Sequence, residues 1–103
     1  MGWVNDALHE LEAGRQAQVR PMGGSMRGRI ESGQLVTLAP VDPAAVQVED
    51  VVLVRWKGNH LLHLVKEING DQFLIGNNVG KINGWVSGEA IRGKVVAVSD
   101  APS

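Results

Sequence analysis

Apolar side chains recur at Trp3, Val4, Ala7, Leu8 and Leu11, with Asn5, Asp6, Glu10 and Glu12 between them. Steps of three and four put one apolar stripe along a helix. The pattern predicts a short amphipathic helix over residues 3–13, with Gly14 as its stop. Residues 14–24 then change character. Gly, Arg, Gln and Pro dominate, ending in Pro21-Met22-Gly23-Gly24, which reads as extended chain and tight loop. From Gln34 onward the apolar runs are short and β-like: Gln34–Ala39, Asp50–Lys57, His60–Ile68, Gln72–Ile75 and Ile91–Val98. Lys57-Gly58-Asn59 and Asn69-Gly70-Asp71 read as turns between successive strands. Several runs lack clean alternation, which implies strands apolar on both faces. Pro40–Glu49 is a longer connection in which Pro40 and Pro43 oppose regular pairing. The expected fold is mainly β: a small twisted antiparallel sheet or partial barrel of five strands with one short N-terminal helix.

The chain has 103 residues, enough for a single domain over 1–103 with its β part at 20–98. Apolar residues at 44% and charged residues at 20% describe an ordinary globular composition, which excludes a disordered chain. A net charge of −1 gives no global attraction to nucleic acid or anionic lipid, so no nucleic-acid partner is expected. Arg15, Arg20, Arg27 and Arg29 read as a solvated loop flank. There is no cysteine, which excludes disulfides, thiolate metal sites and cysteine catalysis. No basic stretch followed by an apolar run opens the chain, and no run approaches the ~20 apolar residues of a membrane span. The expectation is a cytoplasmic protein without a membrane anchor.

The most informative segment is Pro21–Gly33, P-M-G-G-S-M-R-G-R-I-E-S-G. Ser25 stands in a glycine-bearing loop ahead of a strand. Gly23 and Gly24 admit backbone conformations closed to other residues and let a substrate backbone come close. Exposed N–H groups there can serve as an oxyanion hole. Gly-Gly-Ser is equally a linker fragment, so composition leaves both readings open.

Gly23-Gly24-Ser25-Met26, followed by Ile30 and Gly33, resembles the nucleophile motif of the signal-peptidase and LexA-like serine peptidase superfamily. Glu49-Asp50-Val51-Val52 resembles the family's Gly-Asp-x-Val at a strand start. Leu61–Ile68 resembles the strand that carries the general base. Gly76-Asn77-Asn78 falls where the family has Gly-Asp-x-Asn, and Ile91-Arg92-Gly93-Lys94-Val95 resembles its closing strand. The resemblance covers about residues 20–98. It implies the family's β fold, a peptide or protein substrate and no cofactor or metal. It places His63 at the base position, as in the Ser-His branch of sporulation-type, archaeal and endoplasmic-reticulum signal peptidases. Asn77 stands where an Asp orients the His, and Met22, Met26, Gly23 and Gly24 flank the substrate and oxyanion site.

Lys66 is the rival base. Residues 63 and 66 differ by an odd number, so on a strand they face opposite ways. A lysine base also needs desolvation, whereas histidine titrates near neutral pH unaided. An amide at 77 can hold an imidazole tautomer but cannot offset an imidazolium charge. The chain departs from the family at Arg27-Gly28, Gly33-Gln34, Leu64 and Asn77. A catalytically inactive relative that binds a protein or forms a homodimer is therefore the second expectation. Ala13-Gly14, a self-cleavage dipeptide in the LexA-like proteins, reads here as a helix end. His9 reads as a surface residue. His60 faces away from His63, which argues against a metal site. Trp56 and Trp85 read as core or rim packing.

Overall fold

The computed structural model describes residues 2–21, 26 and 28–100, with side chains from residue 4 onward. Helix α1 spans Gly2–Glu12 and buries Val4, Ala7 and Leu11 on one side. Trp3 belongs to the same predicted stripe, but its side chain lies outside the described residues. Gly14 adopts φ 80° and its N–H donates to the Leu11 carbonyl at 3.0 Å, while Arg15 N–H donates to Glu10 O at 2.9 Å. A left-handed glycine just past the last turn closes the helix, so Ala13-Gly14 is a helix terminus.

Seven strands follow among the described residues: β1 Ala17–Val19, β2 Leu35–Ala39, β3 Val51–Trp56, β4 Asn59–Asn69, β5 Gln72–Gly76, β6 Ile82–Ser87 and β7 Ile91–Ser99. They form one sheet in the order β1-β2-β7-β3-β4-β5-β6. Every neighbouring pair is antiparallel. The last strand in sequence thus lies between β2 and β3 and joins the β1-β2 pair to the β3-β6 strands. The sheet is open, with β1 and β6 at its edges.

Two strands depart from the expectation of five. β1 lies inside the stretch read as loop; three residues, Ala-Gln-Val, are too short to display a period. β6 carries Asn83 and Gly84 mid-strand and leaves Ile82 and Trp85 exposed at the sheet edge, so neither alternation nor a β-branched run marks it. Trp85 is accordingly a surface residue.

The four-residue apolar run of β3 serves two cores. Val51 and Leu53 join Ala7, Leu11, Met26 and Ile30 on the α1 side. Val52 and Val54 join Val65, Phe73, Ile75 and Ile91 on the other. Burial on both faces is why β3 shows no alternation. The second core is covered by the long connection, where a 3-10 turn at Pro43–Ala45 begins with Asp42 accepting the Ala44 N–H at 2.9 Å. No described helix is long and apolar enough to cross a membrane.

Candidate functional site

Met22, Gly23, Gly24 and Ser25 lie outside the described residues; the chain on either side of them is described. Pro21 O accepts the Gly33 N–H at 3.1 Å. Met26 is buried in the α1-side core, and its carbonyl accepts the N–H groups of Arg29 and Ile30 at 2.9 and 2.8 Å. Gly28 has φ 95°, and a β-carbon there would stand 2.9 Å from Asn78 Nδ2. The stem that follows Ser25 therefore packs on the turn after β5, in a backbone conformation that favours glycine.

His63 sits within β4, opposite Val52, with Leu61 and Val65 before and after it on the second-core face. It is 7% exposed. Its Nδ1 lies 2.5 Å from the Leu62 carbonyl oxygen. A carbonyl only accepts, so this bond assigns the proton to Nδ1 and leaves the lone pair on Nε2. Burial holds the imidazole below its usual pKa. The Leu62 carbonyl partly offsets that by favouring the protonated ring, and the nearby Lys81 charge lowers it again. His63 is thus a buried imidazole, held toward its neutral form, in an apolar layer.

β4 and β5 pair Leu64 with Gly76, and one further step in that register sets Asn77 opposite His63. Asn77 is buried. Its Oδ1 accepts the N–H groups of Val79 at 3.0 Å and Lys81 at 2.9 Å, and its own N–H donates to Lys81 O at 2.9 Å. The side-chain oxygen that would have held the imidazole is taken up by the turn, and no hydrogen bond joins Asn77 to His63. The group that fixes the tautomer is the Leu62 carbonyl. Neither it nor Lys81 was named from the sequence: a main-chain carbonyl has no residue-type signature, and Lys81 lies in a turn whose path the sequence does not reveal.

Lys66 occupies a β-bulge between Val65 and Glu67. Its Cε lies 3.0 Å from where a Gly76 β-carbon would be. Gly76 pairs with Leu64, whose side chain belongs to the α1-side core, so the Lys66 side chain runs on the face away from His63. Met26 also belongs to that core, on the opposite side of the sheet from the imidazole.

Past Lys94, β7 continues beyond the start of β3, and its edge facing away from β2 is unpaired. A groove of about 370 Å³ runs there, between Arg29–Ile30, Glu49–Val51 and Val95–Val98. Arg29 pairs with Glu49 at 2.5 Å and Lys94 with Asp50 at 3.3 Å beside it. Lys94, Val52 and His63 form one row across β7, β3 and β4, whereas Ile30, Val51 and Val95 of the groove belong to the α1-side face, away from the imidazole. Comparison with models of known families, with curated proteins and with solved structures finds no match.

Proposed function

We propose that the chain is a serine endopeptidase of the signal-peptidase and LexA-like type, with Ser25 as nucleophile and His63 Nε2 as general base. The observation that carries this reading is the state of His63: buried, neutral, and with its proton assigned to Nδ1. A neutral imidazole presenting its lone pair on one defined nitrogen suits activation of a hydroxyl. The packing of Gly28 on Asn78 adds that the stem after Ser25 and the turn opposite the base share one end of the sheet.

In the proposed reaction His63 Nε2 takes the hydroxyl proton as Ser25 Oγ bonds to a peptide carbonyl carbon. N–H groups of Gly23 to Ser25 stabilise the oxyanion. The C–N bond breaks as the imidazolium returns the proton to the leaving amine, and water then releases the acyl group by the same steps. The unpaired edge of β7 offers main-chain hydrogen bonds to an extended peptide. Met26, directly after Ser25 in sequence, is buried in the α1-side core, and Met22 is assigned to the substrate side. The family's fold and a cytoplasmic location belong to the same proposal.

A second reading has its own observation. Acyl transfer must form an imidazolium, and at His63 burial and Lys81 oppose that charge, with no carboxylate among its causes of shift. This favours a non-catalytic module that binds peptides or self-associates through the same scaffold. One experiment separates the two. Incubation with a fluorophosphonate should give a single adduct on Ser25, lost in Ser25→Ala and His63→Ala proteins that remain folded. No adduct at mildly acid to mildly alkaline pH, with peptide binding retained by Ser25→Ala, would overturn catalysis and leave the binding module.

A further inference from the structure

We infer that Arg55, His60 and Arg92 form an anion site, separate from the Ser25–His63 region, that takes a phosphate monoester dianion. Three strands bring the groups together. Arg55 of β3 and His60 of β4 are direct cross-strand partners near the hairpin turn. β7 slips register between Gly93, opposite Leu53, and Ile91, opposite Val54, and Arg92 is the extra residue of that bulge. Bulges of this kind re-aim a side chain, and the Arg92 charge acts on His60 together with that of Arg55.

What the cluster lacks is an acid. The carboxylates in ion pairs are engaged elsewhere: Glu10 with Arg15, Glu49 with Arg29 and Asp50 with Lys94. No described carboxylate bonds to Arg55 or Arg92. His60 Nε2 and Arg92 Nε are both shielded from solvent and have no hydrogen-bond partner. The remaining buried orphan, Asn83 Oδ1, is on β6, two strands from β4. Buried polar atoms in folded proteins are nearly always satisfied, so these two nitrogens leave hydrogen-bonding capacity unmet. The charged groups that act on His60 are Arg92 of β7 and Arg55 of β3. Together with burial, the larger cause, they hold its pKa down, and no carboxylate from any packed element counters them. Two guanidinium forks match the oxygens of a phosphate, and a dianion also removes the mutual repulsion of the three groups.

His60 lies three residues from His63 and on the opposite face of β4, so the two imidazoles report separately. The experiment follows the His60 and His63 ring signals by NMR in the full chain. The titrants are inorganic phosphate, glycerol phosphate, acetate and chloride at matched ionic strength. Phosphate and glycerol phosphate should both give saturable shifts at His60 and raise its titration midpoint, because a bound anion favours the imidazolium; His63 should not follow. Arg55→Gln and Arg92→Gln should each weaken phosphate binding about tenfold or more. Arg55 is exposed, so its variant keeps the test valid if Arg92→Gln fails to fold. An ester that binds while inorganic phosphate does not would still support the site and assign it to an esterified ligand. No saturable shift with either, an equal response to chloride or acetate, or unchanged binding in Arg55→Gln would overturn the proposal.

Discussion

Replacing Asn77 tests what its side chain does. Asn77→Ala removes an oxygen that accepts two main-chain N–H groups, those of Val79 and Lys81, in a partly buried turn. Each hydrogen bond contributes on the order of 1 kcal/mol net, so the loss is about 2 kcal/mol. For a domain of this size that lowers Tm by about 8–16 °C. Asn77→Asp keeps an acceptor for both donors and should retain most of the stability. It also puts a carboxylate beside Lys81 and opposite His63, which favours the imidazolium and raises the His63 pKa. Thermal unfolding monitored by circular dichroism reads the first effect, and ring NMR across pH reads the second. If Asn77→Ala shifted Tm by less than about 2 °C, the two hydrogen bonds would not be holding the turn. If Asn77→Asp left the His63 midpoint unmoved, the register that sets residue 77 opposite His63 would be wrong.

Three further outcomes are expected. His63 and His60 both have lowered folded pKa values, so the unfolded chain takes up protons first. The stability they contribute is complete above the unfolded value of about 6.5 and is lost as pH falls through the folded values. Urea midpoints over that window should depend less on pH in His63→Gln and in His60→Gln, and least in the double variant. Gly28→Ala should cost about 1–3 kcal/mol in urea unfolding, because φ 95° is strained for alanine; an unchanged midpoint would show that the stem does not hold that conformation. His63→Leu should match or exceed the parent in stability at neutral pH while abolishing Ser25 labelling. A loss above about 2 kcal/mol would instead mark the imidazole as structural.

The long strands were legible because their physics is local. Val and Ile runs at 51–54 and 91–98, and the Gly58 and Gly70 turns, carry their own propensity and punctuation. Gly14 was readable as a helix stop for the same reason. β1 and β6 were not, since three residues of β1 exist as a strand only by pairing with β2, and β6 only by pairing with β5. The site divides along the same line. His63 could be placed from its strand and its resemblance, but the group that assigns its proton is a carbonyl. Asn77 could be placed but not interpreted: its oxygen had two claimants, the imidazole and the turn, and the backbone of residues 79 and 81 took it. Lys66 faces away from His63 as alternation requires, although a bulge intervenes that the sequence does not announce.

The position of His63 bears on why the chain holds an imidazole there. Its neighbours on that face, Leu61, Val65 and Val52, are aliphatic. An apolar side chain would extend the same layer at about 25 cal/mol per Å² of buried surface. Against that stands one hydrogen bond to the Leu62 carbonyl, on the order of 1 kcal/mol. A fully buried aliphatic side chain contributes about 1.5–3 kcal/mol, at least as much as the hydrogen bond, so stability gives no strong reason for a histidine. Stability also gives a reason against it at low pH, where the buried ring must take up a proton near Lys81. A group that adds little to the fold at neutral pH and weakens it in acid is what the proposed role of general base would tolerate, at some cost to stability. The His63→Leu variant separates these terms, because its unfolding free energy at neutral pH reads the exchange of the Leu62 hydrogen bond for added apolar burial, and its pH dependence reads the cost of protonating the ring.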